Sequence, residues 1–582
     1  MSGIGSRQRF DAVKFQVLWA RVLNIADEMA ATLVKTAFSH VVRDNQDYAC
    51  AIYDSVGNML AQSTQCTPGQ IGAMPRVLQD FLKVYPAASL EPGDVLITND
   101  PWLGSGHTPD IFIATPAFLG GRLIGFAISS AHHIDIGGRM ASPDARDVYE
   151  EGIIIPITKL YRAGQSNDDI FNIICRNVRM ADKVVGDLRA QLAANHLGAG
   201  RMARLMEDFR LGSLTDLAEA IIAHTEASMR TAIAGVPAGT YTNRVQLEDR
   251  GRDGRPLEIV VRIEVEGGDI HVDFTGTSAQ VDLPINSVYN ITQAYVLFPI
   301  KCALHPHIPN NTGSFRPIRI TVPEGTILSA VFPAPCMWRT TVVYFVVEAI
   351  FGALARAIPD RVMAPSGTYP LWGGMYAGKL RDGRSFVFHF NAQGGQGALE
   401  ARDGLSTTVF PPNVANTSVE QMEHEAPLVC ERKELVPDSG GPGRRRGGLG
   451  QEVVLRNMSG NNIVASIVGG RLKAGAPGLA GGHRGRRGVI RQNDAAAFER
   501  SQQVVLKDND TIHLSYPGGG GIGHPAERAI ADVLADVERG FVSREAAQEI
   551  YGVAFSDDGT RIDPALTARR RAALLLAAAA RA

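Results

Sequence analysis

Two short clusters in this chain carry residue types that could do chemistry together. The first is His107-Thr108-Pro109-Asp110 and the second is His132-His133-Ile134-Asp135. Imidazole and carboxylate groups that converge suit Zn²⁺, Mn²⁺ or Fe²⁺ and leave coordination positions open for reaction. Between the clusters lie an apolar run, Ile111–Leu119, then Gly120-Gly121, then a second apolar run, Arg122–Ser130. Gly-Gly between two such runs is the signal of a two-residue β-hairpin turn. With that turn, residues whose numbers sum to 241 face each other, so Asp110 is expected opposite Ala131 and Thr108 opposite His133. The hairpin therefore returns the second cluster to the first. His107 and Asp110 are an odd number apart, and a regular strand would point them to opposite faces. Pro109 is expected to interrupt the ladder there. Without the hairpin, the same residues would read as polar loop positions beside an ordinary turn.

The elements around the hairpin are read from periodicity. Phe15, Leu18, Val22, Ile25, Met29 and Leu33 recur at spacings of three and four, which predicts one long amphipathic helix. A strand is expected at Tyr48–Tyr53, and residues 92–155 alternate short apolar runs with turns. Residues 180–235 read as helix, Tyr241–Phe274 as strands, Thr341–Ala357 as helix and 385–516 as β-rich. The expected class is α+β: a multi-domain chain with a β-rich metal-binding core, a long N-terminal helix and a helical C-terminal tail. Four units are expected: 1–240, an α+β domain with the hairpin in 99–138; 241–384, mixed α/β; 385–524, β-rich with a Gly/Arg loop; and 525–582, a helical tail. A length of 582 residues agrees with several cores rather than one.

Several other motifs fail on inspection. Gly373–Lys379 follows the phosphate-loop pattern, but Leu380 stands where the hydroxyl that holds Mg²⁺ belongs. Gly518, Gly520 and Gly523 satisfy G-x-G-x-x-G, yet no second strand with an acidic residue follows at the distance a dinucleotide fold requires. No nucleotide- or cofactor-binding motif is therefore assigned to this chain. Arg444-Arg445-Arg446 is expected to be a solvated loop, and His224, His271, His389 and His513 to be ordinary core or surface residues.

Net charge is −2, with 20% charged and 45% hydrophobic residues, so neither nucleic acid nor a membrane is expected as a partner. Six dispersed cysteines without a C-x-x-C pair fit a reducing compartment and offer no thiolate zinc site. With no apolar leader in MSGIGSRQRF and no span of bilayer length, a cytoplasmic location is expected.

The ordered set of motifs resembles the hydantoinase B/oxoprolinase family. It comprises Asn99-Asp100-Pro101, His107-Thr-Pro-Asp110 and His132-His133-x-Asp135-x-Gly-Gly, then Asn177-Val-Arg179 with Gly186-Asp187-Leu188. Asn310-Asn311-x-Gly313-x-Phe315, Gly394-Gly395-Gln396-Gly397 and Glu420-x-x-Glu423 continue it. Asp438-Ser-Gly-Gly-Pro-Gly-x-x-Arg446-Gly-Gly, Pro517-Gly-Gly-Gly-Gly and Tyr551-Gly-Val close it. The resemblance implies one divalent metal (Zn, Mn or Fe) on His107, Asp110 and His132. It implies an A-type partner subunit, in a heterotetramer or larger assembly, that binds ATP/Mg and phosphorylates the carbonyl oxygen of a cyclic amide. This chain would then complete ring opening of a hydantoin, oxoproline or lactam, with a water of lowered pKa as nucleophile. His133 and Asp135 are the expected proton handlers, and Asp100 the group that orients a ligand. Two other readings remain: the large subunit of an acetone/acetophenone-type carboxylase, or a non-catalytic scaffold for an ATPase partner. This sequence departs from the family pattern at Gln70, where a histidine is expected, and at Asp44, where a longer acid is expected.

Overall fold

The first helix forms where the apolar spacing places it, over Ala12–Thr36. The Asp11 side chain accepts from Lys14 N at its start, and Leu18, Val22, Ile25, Met29 and Leu33 form its buried stripe. The computed structural model describes residues 10–250, 254–556 and 562–580.

That helix covers one face of a seven-stranded sheet. Its strands are β1 (Tyr48–Asp54), β2 (Met59–Gln62), β3 (Val95–Thr98), β4 (Asp110–Leu119), β5 (Arg122–His132), β6 (Thr158–Arg162) and β7 (Gln165–Ser166). The order is β2-β1-β5-β4-β3-β6-β7. Cys50, Ile52, Ala127 and Ala131 face the helices Ala12–Thr36 and Ala181–Asp208. Ala49, Ala51, Tyr53, Phe112, Ala114, Phe126 and Ile128 pack instead with Val77, Leu78 and Phe81 of the helix Pro68–Val84. With both faces covered, β1 is buried along its whole length.

A second sheet, in the order β11-β10-β9-β8, is built from β8 (Gly239–Arg250), β9 (Pro256–Glu266), β10 (Asp269–Asp273) and β11 (Ile318–Thr321). Its apolar face packs on the helices Tyr289–Leu304 and Thr340–Leu354. The first of these also crosses Pro68–Val84 so closely that a Cβ at Gly72 would lie 2.4 Å from that of Ala294. Two further four-stranded sheets follow. β12 (Gly373–Lys379), β13 (Ser385–Phe390), β16 (Ile463–Val468) and β18 (Gln502–Leu506) form one, in the order β13-β12-β16-β18. β14 (Leu428–Leu435), β15 (Gln451–Asn457), β17 (Val489–Gln492) and β19 (Thr511–Ser515) form the other, in the order β14-β15-β19-β17. They share one aromatic-rich core around Trp372, Tyr376, Phe388 and Tyr516. Mixed helix and sheet content over several cores makes the chain a multi-domain α+β protein.

The glycine-rich motifs form a layer of closely packed backbone beside these two sheets. Gly395 N–H donates to Pro517 O, Gly448 to Gln396 O, Gly519 to Gly448 O and Gly441 to Gly519 O. A Cβ at Gly519 would lie 2.0 Å from Gln396 O. Glycine is required here because main chain packs directly on main chain.

The basic run departs from expectation. Arg446 is buried, and its guanidinium lies 3.1 Å from Asp536 on the helix Ile530–Glu538. Arg528 is also buried and bridges Asp403 and Asp536. A buried guanidinium is tolerated because carboxylates and carbonyls satisfy its fork of donors. Arg446 therefore anchors C-terminal structure, while Arg444 and Arg445 beside it stay partly exposed.

Candidate functional site

The hairpin forms with Gly120 and Gly121 at its turn, both at positive φ. Its register is not the expected one. Phe118 pairs with Leu123, but Ala117 pairs with Gly125, so Ile124 is an extra residue on β5. This bulge shifts every pair beyond it by one and sets Asp110 opposite His132 rather than Ala131. Both side chains then share the face of Phe112, Ala114, Phe126 and Ile128, which is the face turned to the helix Pro68–Val84. Without the extra residue, His132 would point through the sheet to the other side.

His107 arrives from the loop rather than from the strand, which begins at Asp110. Asn99 pins that loop by donating to Thr108 O at 2.7 Å and Ile153 O at 3.0 Å and by accepting from Ile155 N. Gly106 has φ +86, and a Cβ there would meet Arg339 Cδ at 2.8 Å. The parity conflict is thus resolved by leaving the ladder before Asp110.

His107 Nε2 and His132 Nδ1 stand 2.9 and 3.0 Å from the same oxygen, Asp110 Oδ1. The other oxygen, Oδ2, accepts from the Ser105 hydroxyl and from Arg339 Nη2 at 3.1 Å. Gln70 Nε2 donates to Asp47 Oδ1 at 2.9 Å and reaches Asp110 Oδ1 at 3.4 Å. Burial pushes the Asp110 carboxyl up, but His107, His132 and Arg339 overturn this and hold it well below the usual range. Burial and Arg339 push the His107 imidazole down to about 3, so it is neutral near pH 7. Burial pushes the Asp47 carboxyl up to about 6 against the pull of His132.

The donor set fits a divalent metal. The three ligand atoms lie within 4.8 Å of one another. His107 Nε2 is buried and makes no aligned hydrogen bond despite its short distance to Asp110. An ionised carboxylate beside a neutral imidazole is the charge state that coordination requires.

The cluster opens into a cavity of about 110 Å³, walled by Ile134, Met337, Trp338, Leu371, Met375 and Val414 among others. His389 on β13 also lines it, with its ring 5.8 Å from that of His132 and Nδ1 without a partner. His389 is thus a wall residue outside the three-residue cluster, and a lone histidine on a strand gave no signal of that position. Burial, with His132 and His40 nearby, pushes its imidazole down to about 3. Asp47, Gln70 and Arg339 are likewise site residues from outside the motif. Only Gln70 carried a signal, as a departure from the family pattern.

The three residues expected to assist are placed differently. His133 lines the cavity and pairs through Nε2 with Gln191 Oε1 at 3.1 Å. Asp135 lines it too, but its carboxylate accepts from the Gly137, Arg179 and Met180 amides and from the Arg179 guanidinium. Asp100 is not among the lining residues; its carboxylate accepts from Trp102 N at 2.9 Å and shapes the loop.

Neither glycine motif is a phosphate loop. Gly373–Lys379 is β12, paired on both sides with β13 and β16. The amides of Gly518, Gly519, Gly520, Gly521 and Gly523 all donate to main-chain carbonyls. No amide of these glycines is left to cradle phosphate.

Fold and site together define a multi-domain α+β protein with a buried His₂Asp cluster, and no described helix is long and apolar enough to cross a membrane. The model of the hydantoinase B/oxoprolinase family matches residues 11–525, and the chain belongs to that family. It is 31% identical to the B-type component of a putative D-/L-hydantoinase of Pseudomonas sp. (strain NS671), over 94% of this chain and 96% of that one. The crystal structure of ATP-dependent caprolactamase from Pseudomonas jessenii superposes with a TM-score of 0.90 at 27% identity, covering 97% of this chain and 100% of that one. Nucleotide-free acetone carboxylase shares the fold, with a TM-score of 0.89 at 20% identity over 99% of this chain and 84% of that one.

Proposed function

We propose that this chain is the metal-bearing, B-type component of an ATP-dependent cyclic-amide hydrolase. The observation that carries the reading is the His107–Asp110–His132 cluster, sunk at the end of a largely apolar cavity. Its relatives in sequence are named as hydantoinase and caprolactamase subunits, which supports ring opening of an amide.

A divalent ion on the three residues would supply a Lewis acid that polarises oxygen and lowers the pKa of water. The chain's own groups do the rest. Arg339 and Ser105 fix the Asp110 carboxylate from behind, so it presents Oδ1 to the cavity. Asp47 stands 4.0 Å from His132 Nδ1 with its carboxyl pushed up by burial, and it is better placed for proton uptake than Asp135, whose oxygens accept the Gly137, Arg179 and Met180 amides, or Asp100, which accepts from Trp102 N. His133 buttresses the cluster through Gln191, which in turn donates to Ile111 O. The apolar walls exclude competing water.

Activation of the amide is assigned to an A-type ATP-binding partner, in a heterotetramer or larger assembly. The test is co-expression with that partner and assay of lactams, hydantoins and ketones with labelled bicarbonate. Ring opening without label is the expected result. A labelled keto acid formed from a ketone would replace this reading with the carboxylase. Stable complex formation with full ATP-dependent activity in an Asp110→Ala variant would leave only a scaffold.

A further inference from the structure

A second cavity, of about 720 Å³, lies where the helices Pro68–Val84 and Tyr289–Leu304 cross. It shares no lining residue with the metal cavity. Pro68, Ile71, Gly72, Ala294 and Phe298 face it, whereas Gly69, Gln70, Ile291 and Tyr295 face the metal side. Val409, Phe410 and Pro411 complete a largely apolar wall. Exposed Thr64, His307 and Asn413 stand at its rim, and buried Ile71, Ala294, Leu297 and Lys301 form its floor.

Lys301 is the one lysine or arginine among the residues that line this cavity, and Asp27 the one carboxylate. Lys301 is only 6% exposed, a position an ammonium rarely takes unless a carboxylate meets it. Among the described residues none does. Its Nζ donates to the carbonyls of His305 and, at 2.6 Å, of Ile308, just past the end of its own helix. That caps the helix and leaves the third N–H unused. Burial pushes the ammonium down to about 8, with no part played by Asp27, whose charge acts instead on Cys66. Both Asp27 oxygens already accept from Thr64 at the rim. Asn310, from a family motif that the metal site leaves unused, also lines the cavity, and its Oδ1 is buried without a partner. A half-turn of that amide presents Nδ2 to an acceptor.

We propose that this cavity is a second binding site, for an apolar monocarboxylate. Its carboxylate sits on Lys301 Nζ and the Asn310 amide, and its chain or ring lies among Ile71, Leu297, Phe298 and Phe410. The cost of desolvating such a ligand's charge is offset by a cation that is already buried, while the apolar walls take the rest of the molecule. A neutral ligand would gain only the second of these terms, and a small hydrophilic anion only the first. The site stands apart from the ring-opening reading and does not depend on it.

Calorimetry on the full chain compares octanoate with octanamide, with a chelator present so that no ion can hold the carboxylate. Octanoate is expected to bind at least about ten-fold more tightly, the worth of one charge-assisted hydrogen bond. Lys301→Met is expected to bring octanoate down to the affinity of octanamide, and Lys301→Arg to restore most of the difference. Should Lys301→Met not fold, Val409→Trp fills the cavity from a half-buried position and leaves Lys301 in place. It is expected to weaken both ligands by about ten-fold or more, since apolar contact is lost. Equal binding of the two ligands by the unaltered chain overturns the inference, and so does octanoate left unbound at millimolar concentration. An affinity for octanoate that neither Lys301→Met nor Val409→Trp changes overturns it as well. A preference that appears only when the metal is restored would place the carboxylate on the ion and refute the second site.

Discussion

Asp110 is the residue on which the site converges. One carboxylate oxygen lies beside both imidazoles, while Ser105 and Arg339 hold the other. Changing His107, Asp110 or His132 to Ala is expected to remove a divalent ion present at close to one per chain, as read by elemental analysis. Loss of the Lewis acid should lower ring opening by more than about 100-fold, since such an ion contributes several kcal/mol. Asp110→Ala should carry a further cost in stability, because it leaves the Arg339 guanidinium buried without its carboxylate. Full metal retention in all three variants would end the assignment. Arg339→Met is the informative neighbour: it spares every ligand, so weakened metal retention there would measure what orientation of the carboxylate contributes.

At the scale of elements, the bulge at Ile124 is what turns a hairpin into a site. A two-residue turn fixes only the pairs next to it, and one extra residue in β5 then moves His132 onto the face of Asp110. Deleting Ile124 is expected to restore the simple register and direct His132 away. Metal should be lost in this variant even though all three ligands remain in the sequence, and retained metal would show that the strand readjusts elsewhere. The glycine layer is the second element-level constraint. Gly519→Ala would bring a Cβ to 2.0 Å from Gln396 O, and the overpacking should cost about 2 kcal/mol or more in chemical denaturation.

Across the whole molecule, the cavity lies where separate cores meet: the first sheet, the central helices and β12–β13 all contribute walls. One ion cluster pins that junction. Glu425 on the helix Val419–Glu425 lies against His40, Arg43 and Lys183. Burial raises its carboxyl, but the His40 and Lys183 contacts reverse this and hold it well below the ordinary value. A carboxyl depressed in the folded state stabilises above its unfolded pKa, and the benefit is lost as pH falls through the folded value. Glu425→Gln is therefore expected to lower the melting temperature at pH 7, with the difference from the parent shrinking as pH falls below about 4. A constant difference across that range would mean that Glu425 acts by packing alone. The same scale governs the nucleotide: with both glycine motifs closed by main-chain hydrogen bonds, the isolated chain should bind no ATP at micromolar concentration, and calorimetry checks this.

The sequence alone determined what local chemistry can determine. The spacing of Leu18, Val22, Ile25, Met29 and Leu33 specified the first helix, and Gly120-Gly121 between two apolar runs specified the hairpin, because helix period and turn conformation depend on neighbouring residues. Type and spacing marked the two clusters at His107–Asp110 and His132–Asp135, the ordered motifs marked the family, and the resemblance to that family singled out His107, Asp110 and His132 among them. Tertiary structure alone decided the register, since Ile124 is bulged to satisfy packing on both faces of a doubly covered sheet. It alone brought Asp47, Gln70, Arg339 and His389 to the cluster from positions as far apart as residues 47 and 389. It also buried Arg446 against Asp536, 90 residues away, where the basic run by itself read as solvated. Such contacts join residues distant in the chain, and no local pattern encodes them, because their free energy arises only when separate cores dock.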